Sequence, residues 1–168
     1  MKTAHKLTLI GVCTAAAMVL SYVETLIPVP FAVPGVKLGL ANIVALFLLY
    51  KLDWKAAGLV SLIRVLLSGL LFGNAASLAY SAAGAALSLA VMALLKKSAV
   101  FSPVGVSVSG AVSHNIGQIL MAVVLLGTDR ILWWLPPLVA SGAVTGLAIG
   151  AAGALLIKRI DPGNNKKG

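Results

Sequence analysis

Acidic residues are scarce in this chain. Its 168 residues include four of them, against thirteen lysines and arginines, and charged residues of both signs make up only 10% of the sequence. Soluble domains carry about 25%. Hydrophobic residues reach 60%. A chain with so few charges cannot cover a soluble surface, so it belongs to the integral membrane class. At roughly 20 apolar residues per span, there is room for about six spans and no separate soluble domain.

What is missing also excludes most chemistry. The acids Glu24, Asp53, Asp129 and Asp161 are scattered along the chain. No two are near neighbours, so no carboxylate cluster exists to hold magnesium on a diphosphate. There is no glycine-rich loop ending in GKS or GKT, so the chain does not power transport with ATP by itself. His5 and His114 are far apart in sequence and make no metal site. Ser113 and His114 are adjacent on a helix and do not face each other. The expectation is a protein that is not an enzyme and needs no cofactor. A single cysteine, Cys13, rules out an intrachain disulfide and reads as a small packing residue.

The net charge of +9 invites a nucleic-acid reading. That reading fails because the basic residues form no patch; they sit in small groups at the ends of apolar segments. The first twenty residues imitate a signal peptide. However, Val12 precedes Cys13 where a lipoprotein signal needs a small residue, and the apolar run continues to Ile27. An uncleaved first helix is expected.

Continuous apolar runs, not alternating ones, predict an all-α polytopic membrane protein. The expected architecture is a compact six-transmembrane-helix bundle, with helices near 7–27, 38–52, 54–72, 75–95, 103–126 and 131–157. Residues 1–160 form one membrane domain, and 161–168 form a flexible polar tail. One side of the membrane receives Lys2, Lys6, Lys51, Lys55, Lys96, Lys97, Lys158, Arg159, Lys166 and Lys167; the other receives Lys37 and Arg130. This asymmetry predicts both termini in the cytoplasm. Trp54, Trp133 and Trp134 fall near helix ends, as interfacial aromatics do.

Small residues recur at helical spacing: Gly11 and Ala15 in helix 1, Gly84 and Ser88 in helix 4, and Gly142, Gly146 and Gly150 in helix 6. Such faces allow close helix approach in lipid. For helix 6 the expectation is internal packing. For helix 1 the face is expected to dock another protein.

The stretch "VPGVKLGLAN", residues 33 to 42, places a cation where an apolar segment begins. Other polar residues fall at the same depth once the helices are threaded alternately. Glu24 lies near the outer end of helix 1, Asn42 one turn into helix 2, and Arg64 near the middle of helix 3 beside Ser61 and Ser68. Asn74 lies in the outer turn, Tyr80 and Ser81 in the outer half of helix 4, and His114, Asn115 and Gln118 run from the middle of helix 5 outward. Two readings stand. Glu24, Lys37 and Arg64 neutralise one another while the amides and His114 bond helices together. Alternatively, Glu24, Lys37, Asn42, Arg64, Asn74, Tyr80, His114, Asn115 and Gln118 line an outward-facing substrate pocket with a positive surplus suited to an anion. The loop "PVPFAVPG", residues 28 to 35, is a stiff connector in the first reading and a lid in the second.

The segments "PGVKLGLAN", "IRVLLSGLLFGN", "SLAYSAAGAALSLAVMALLKK", "GVSVSGAVSHNIGQ" and "LPPLVASGAVTGLAIG" resemble one family along nearly the whole chain. It is known as heptaprenyl diphosphate synthase component I and as the Gx transporter family. That family is similar in turn to the substrate-binding S components of energy-coupling factor (ECF) transporters. The resemblance implies six helices, capture of a small ligand from outside, and docking onto a transmembrane coupling subunit driven by paired ATPases. The docking face implied is an alanine-xxx-alanine pattern on helix 1. Gly11 to Ala15, or Cys13 to Ala17, has that spacing here, with Gly and Cys replacing the first alanine. The synthase name implies a second reading, a non-catalytic membrane subunit in an isoprenoid or quinone pathway.

Overall fold

A computed structural model describes residues 3–27 and 39–160. Lys37, the proline-rich loop 28–35 and the tail 161–168 lie outside the described residues. The described chain is helical: α1 (Thr3–Leu26), α2 (Asn42–Lys51), α3 (Trp54–Phe72), α4 (Ala75–Ser98), α5 (Pro103–Leu126) and α6 (Leu135–Arg159), with a 3-10 turn over Asp129–Trp134 leading into α6.

Local chemistry sets the ends of these elements. Asp53 Oδ1 accepts the Ala56 N–H at 2.7 Å and starts α3; Asn74 Oδ1 accepts the Ser77 N–H at 2.8 Å and starts α4. Ser102 Oγ accepts the Gly105 N–H at 3.2 Å ahead of Pro103, whose missing N–H costs nothing in a first turn. Gly127 takes a left-handed φ of 62° and ends α5. Lysines and arginines occupy the last turns of α2, α4 and α6, where they meet the negative helix end.

Five helices are long and apolar enough to cross a membrane; α2 is the exception, with ten residues. At 1.5 Å per residue it covers about 15 Å, half of a hydrocarbon core roughly 30 Å thick. The sequence reading starts this helix at residue 38. In the structure Gly39 has a φ of +83° and opens a turn, so the helix starts at Asn42. Its N-terminus therefore lies inside the bundle.

This short helix forms the centre of the fold. Leu46 and Leu48 are fully buried, and α2 touches all five other helices. Around it the chain packs α1 on α3, α3 on α4, α4 on α5 and α5 on α6. The tightest seams are built from glycine. A Cβ on Gly117 would lie 2.8 Å from the Ala83 carbonyl oxygen and 2.9 Å from the Gly84 Cα. On Gly146 it would lie 2.7 Å from Val108 Cα, and on Gly150 2.9 Å from Val104 Cα. The small stripe of α6 is thus internal packing against α5, as the sequence reading expects.

Candidate functional site

The site grows from the buried start of α2. A helix beginning inside a membrane protein exposes N–H groups to a medium without water, and each must find a partner. Glu24 supplies one. It follows Cys13, Ala17 and Ser21 along the buried face of α1, and its Oε1 accepts the N–H of Gly39 and, at 2.9 Å, that of Leu40. A carboxylate at a helix N-terminus is also favoured by the helix dipole.

His114 and Asn42 close around the same turn. A Cβ on Gly39 would lie 3.0 Å from Asn42 Nδ2 and 3.4 Å from His114 Cδ2. On the far side of the ring, a Cβ on Gly84 would lie 3.0 Å from His114 Cε1 and 2.8 Å from Gln118 Cγ. The two glycines, Gly39 on the turn and Gly84 on α4, leave the space that the imidazole and the glutamine occupy. His114 and Gln118, one turn apart on α5, share this face as their spacing predicts.

Arg64 is buried in α3, in the electrostatic field of Glu24. The Asn42 amide nitrogen, the hydroxyls of Ser21, Ser81 and Ser88, and Asn115 Oδ1 are buried without a hydrogen-bond partner among the described residues. Polar groups enclosed this deeply are normally satisfied. By their positions along the helices, Ser21, Asn42 and Ser81 lie away from the basic ends of α2, α4 and α6, and Arg64, Ser88 and Asn115 lie near the middle.

Not every candidate from the sequence joins this cluster. Asn115, one position off the His114 face, donates to the Leu138 carbonyl of α6 at 2.6 Å. Tyr80 packs in an apolar cluster with Ile119, Ala122, Ile131 and Leu138. Asn74 is exposed and caps α4. Ser21, Gly39 and Gly84 belong to the cluster without having been singled out for it. Ser21 is legible as one turn before Glu24 on the Cys13–Ala17 face; the glycines carried no signal beyond their small size. On α1 the two small pairs separate. Cys13 and Ala17 face the bundle, whereas Gly11 and Ala15 are exposed, with nothing within 4 Å of a Cβ on Gly11.

Long apolar helices, an apolar core around α2 and a cluster of buried polar groups at its start define a multi-pass membrane protein. Residues 13–156 match the family model described as heptaprenyl diphosphate synthase component I, and the chain belongs to that family. No curated protein and no solved structure gives a significant match.

Proposed function

We propose that this chain is the substrate-capture subunit of an ECF-type uptake system in a bacterial cytoplasmic membrane. It binds a small anionic ligand, cofactor-related or isoprenoid-related, from outside. Both termini face the cytoplasm. The exposed Gly11–Ala15 face of α1 docks on a transmembrane coupling subunit with its ATPases.

One observation carries the reading. Arg64, with its relative exposure at 3%, is a buried cation that senses Glu24, and the Asn42 amide nitrogen is buried with no hydrogen-bond partner among the described residues at the start of a half-length helix. The N–H groups at the start of α2 are taken by Glu24 and by the carbonyls of residues 39–41, so the anion is met by side chains, Arg64 and the Asn42 amide first. Ionisable groups inside spans mark substrate paths. Glu24, Asn42, Arg64, His114 and Gln118 form the site, with Asn115 at its α6 edge.

A second reading has the family description behind it: a non-catalytic membrane subunit of a heptaprenyl diphosphate synthase or a related isoprenoid complex. A thermal-shift screen of purified protein against vitamins, nucleotides and prenyl diphosphates separates the two. A ligand at 100 times its dissociation constant adds about 2.7 kcal/mol. Capture predicts a shift for at least one soluble anion, abolished by Arg64→Met. A shift with none of them, together with co-purification of a prenyl synthase, would replace the capture reading with the second.

A further inference from the structure

The seam between α3 and α4 is open at two successive levels. At the basic end of the bundle, a cleft of about 480 Å³ lies among the end of α2, the start of α3 and the end of α4. Leu52, Trp54, Ala93 and Leu94 form apolar walls, and Lys96 and Lys97 line the same cleft. One turn further along both helices, a recess of about 230 Å³ runs between Gly58, Leu62 and Val65 on α3 and Ala82, Ala86 and Leu89 on α4. Gly58 follows Trp54, and Leu89 precedes Ala93, by one turn each, so the two spaces lie end to end. From Trp54 to Val65 the seam is roughly 16 Å long by helical rise. That is close to half of a hydrocarbon core, about 15 Å.

The charges in the cleft favour an anion. Asp53 also lines it, but its two oxygens are occupied by Lys6 Nζ at 2.9 Å and the Ala56 N–H at 2.7 Å. Lys97 is exposed. Lys96 donates to the Leu49 carbonyl and lies 5.3 Å from the centroid of the Tyr50 ring, which leaves donors of its ammonium group for another acceptor. Trp54 and Leu94 are exposed beside these lysines, the placement of residues at headgroup level.

We infer that this seam seats an anionic phospholipid of the surrounding bilayer, its phosphate at Lys96 and Lys97 and one acyl chain along the α3–α4 recess. A free anion would use the cleft alone, and a neutral lipid would use the apolar recess without the lysines. The two spaces in line, one basic and one apolar, match a molecule with both parts. This inference does not depend on the ligand-capture reading, because it uses the opposite end of the bundle.

Native mass spectrometry of delipidated protein titrated with dioleoyl-phosphatidylglycerol or dioleoyl-phosphatidylcholine tests it. Two variants at exposed positions, Lys97→Gln and Ala86→Phe, probe the head and the tail separately. Wild type should retain phosphatidylglycerol in preference to phosphatidylcholine. Lys97→Gln should weaken phosphatidylglycerol about five-fold, the contribution of one lysine near an anionic surface, and weaken phosphatidylcholine less, because its choline cation offsets the phosphate charge. Ala86→Phe should weaken both lipids. Burial of the Cys13 thiol checks that each variant is folded. Equal retention of the two lipids by wild type, or unchanged binding in both variants, would overturn the inference. So would displacement of phosphatidylglycerol by an equal concentration of inorganic phosphate, which would mark a free-anion site.

Discussion

Replacing Glu24 probes the device that lets α2 begin inside the protein. Its Oε1 receives the N–H groups of both Gly39 and Leu40, and the side chain is buried. Glu24→Leu fills much of the same space with an apolar side chain but leaves both donors without an acceptor. Each orphaned buried donor costs about 1–3 kcal/mol, so the change should cost about 2–6 kcal/mol. Glu24→Gln keeps an oxygen in place and loses only the charge. Charge-assisted hydrogen bonds are about twice as strong as neutral ones, which puts the glutamine cost at roughly 1–2 kcal/mol. Cys13 offers the assay. It is the sole cysteine in the sequence and is buried in the core, so a fluorogenic thiol reagent reports unfolding during a temperature ramp. Arg64 extends the experiment, because it sits in the field of Glu24. Arg64→Met keeps the bulk without the charge. If the guanidinium only balances Glu24, the single change destabilises the protein and Glu24→Gln restores it, with a coupling of about 0.5–3 kcal/mol. If it serves a ligand, Arg64→Met leaves folding intact. Equal costs for Glu24→Leu and Glu24→Gln would refute the capping role, since the leucine alone removes the acceptor.

Three further outcomes are expected. Gly117→Ala should destabilise by about 1–3 kcal/mol because its Cβ meets the backbone of α4, whereas Gly11→Ala should be neutral or stabilise by up to about 1 kcal/mol; parallel thermal ramps check the contrast, and matching signs would contradict it. The hydrogen bond from Lys6, and then that from the Ala56 N–H, hold the Asp53 carboxyl below the usual carboxylate range. A depressed folded value means that the α1–α3 tie is intact above the ordinary carboxylate pKa of about 4 and fades as pH falls through the folded value; the pair is part-exposed, so Lys6→Met should cost no more than about 1 kcal/mol and should flatten the acid limb of a stability–pH curve. Gly11→Leu with Ala15→Leu should leave the thermal midpoint unchanged, because both positions are exposed, but should abolish co-purification with a coupling subunit; retention of that partner would remove the docking role.

The parts of the fold readable from sequence were those with local causes. The segments 54–72 and 103–126 coincide with α3 and α5, because Asp53, Ser102 and Gly127 punctuate them with side-chain caps or a left-handed turn. Helix 6, expected from 131, begins at Leu135 after a 3-10 turn, since Pro136 and Pro137 fit a first turn and cannot continue one. Helix 1 begins at Thr3 rather than 7, where hydropathy falls but Lys6 reaches Asp53. The burial of Arg64, His114 and Gln118 was legible because apolar helices leave polar residues few places to go. The partner of Asn115 was not, because the Leu138 carbonyl is a long-range acceptor with no sequence signature. The capping role of Asn74 did have one, an asparagine directly before a helical run.

The central claim is that the polar interior holds an anionic ligand rather than merely binding helices together. Equilibrium dialysis of purified protein with the anion returned by the thermal screen measures this directly. The account predicts one ligand per wild-type chain and binding weakened roughly tenfold or more by Arg64→Met, the scale of a lost charge-assisted hydrogen bond, with thermal stability in the absence of ligand retained. Binding that is equal in wild type and Arg64→Met, or no binding of any screened anion by wild type, would contradict it.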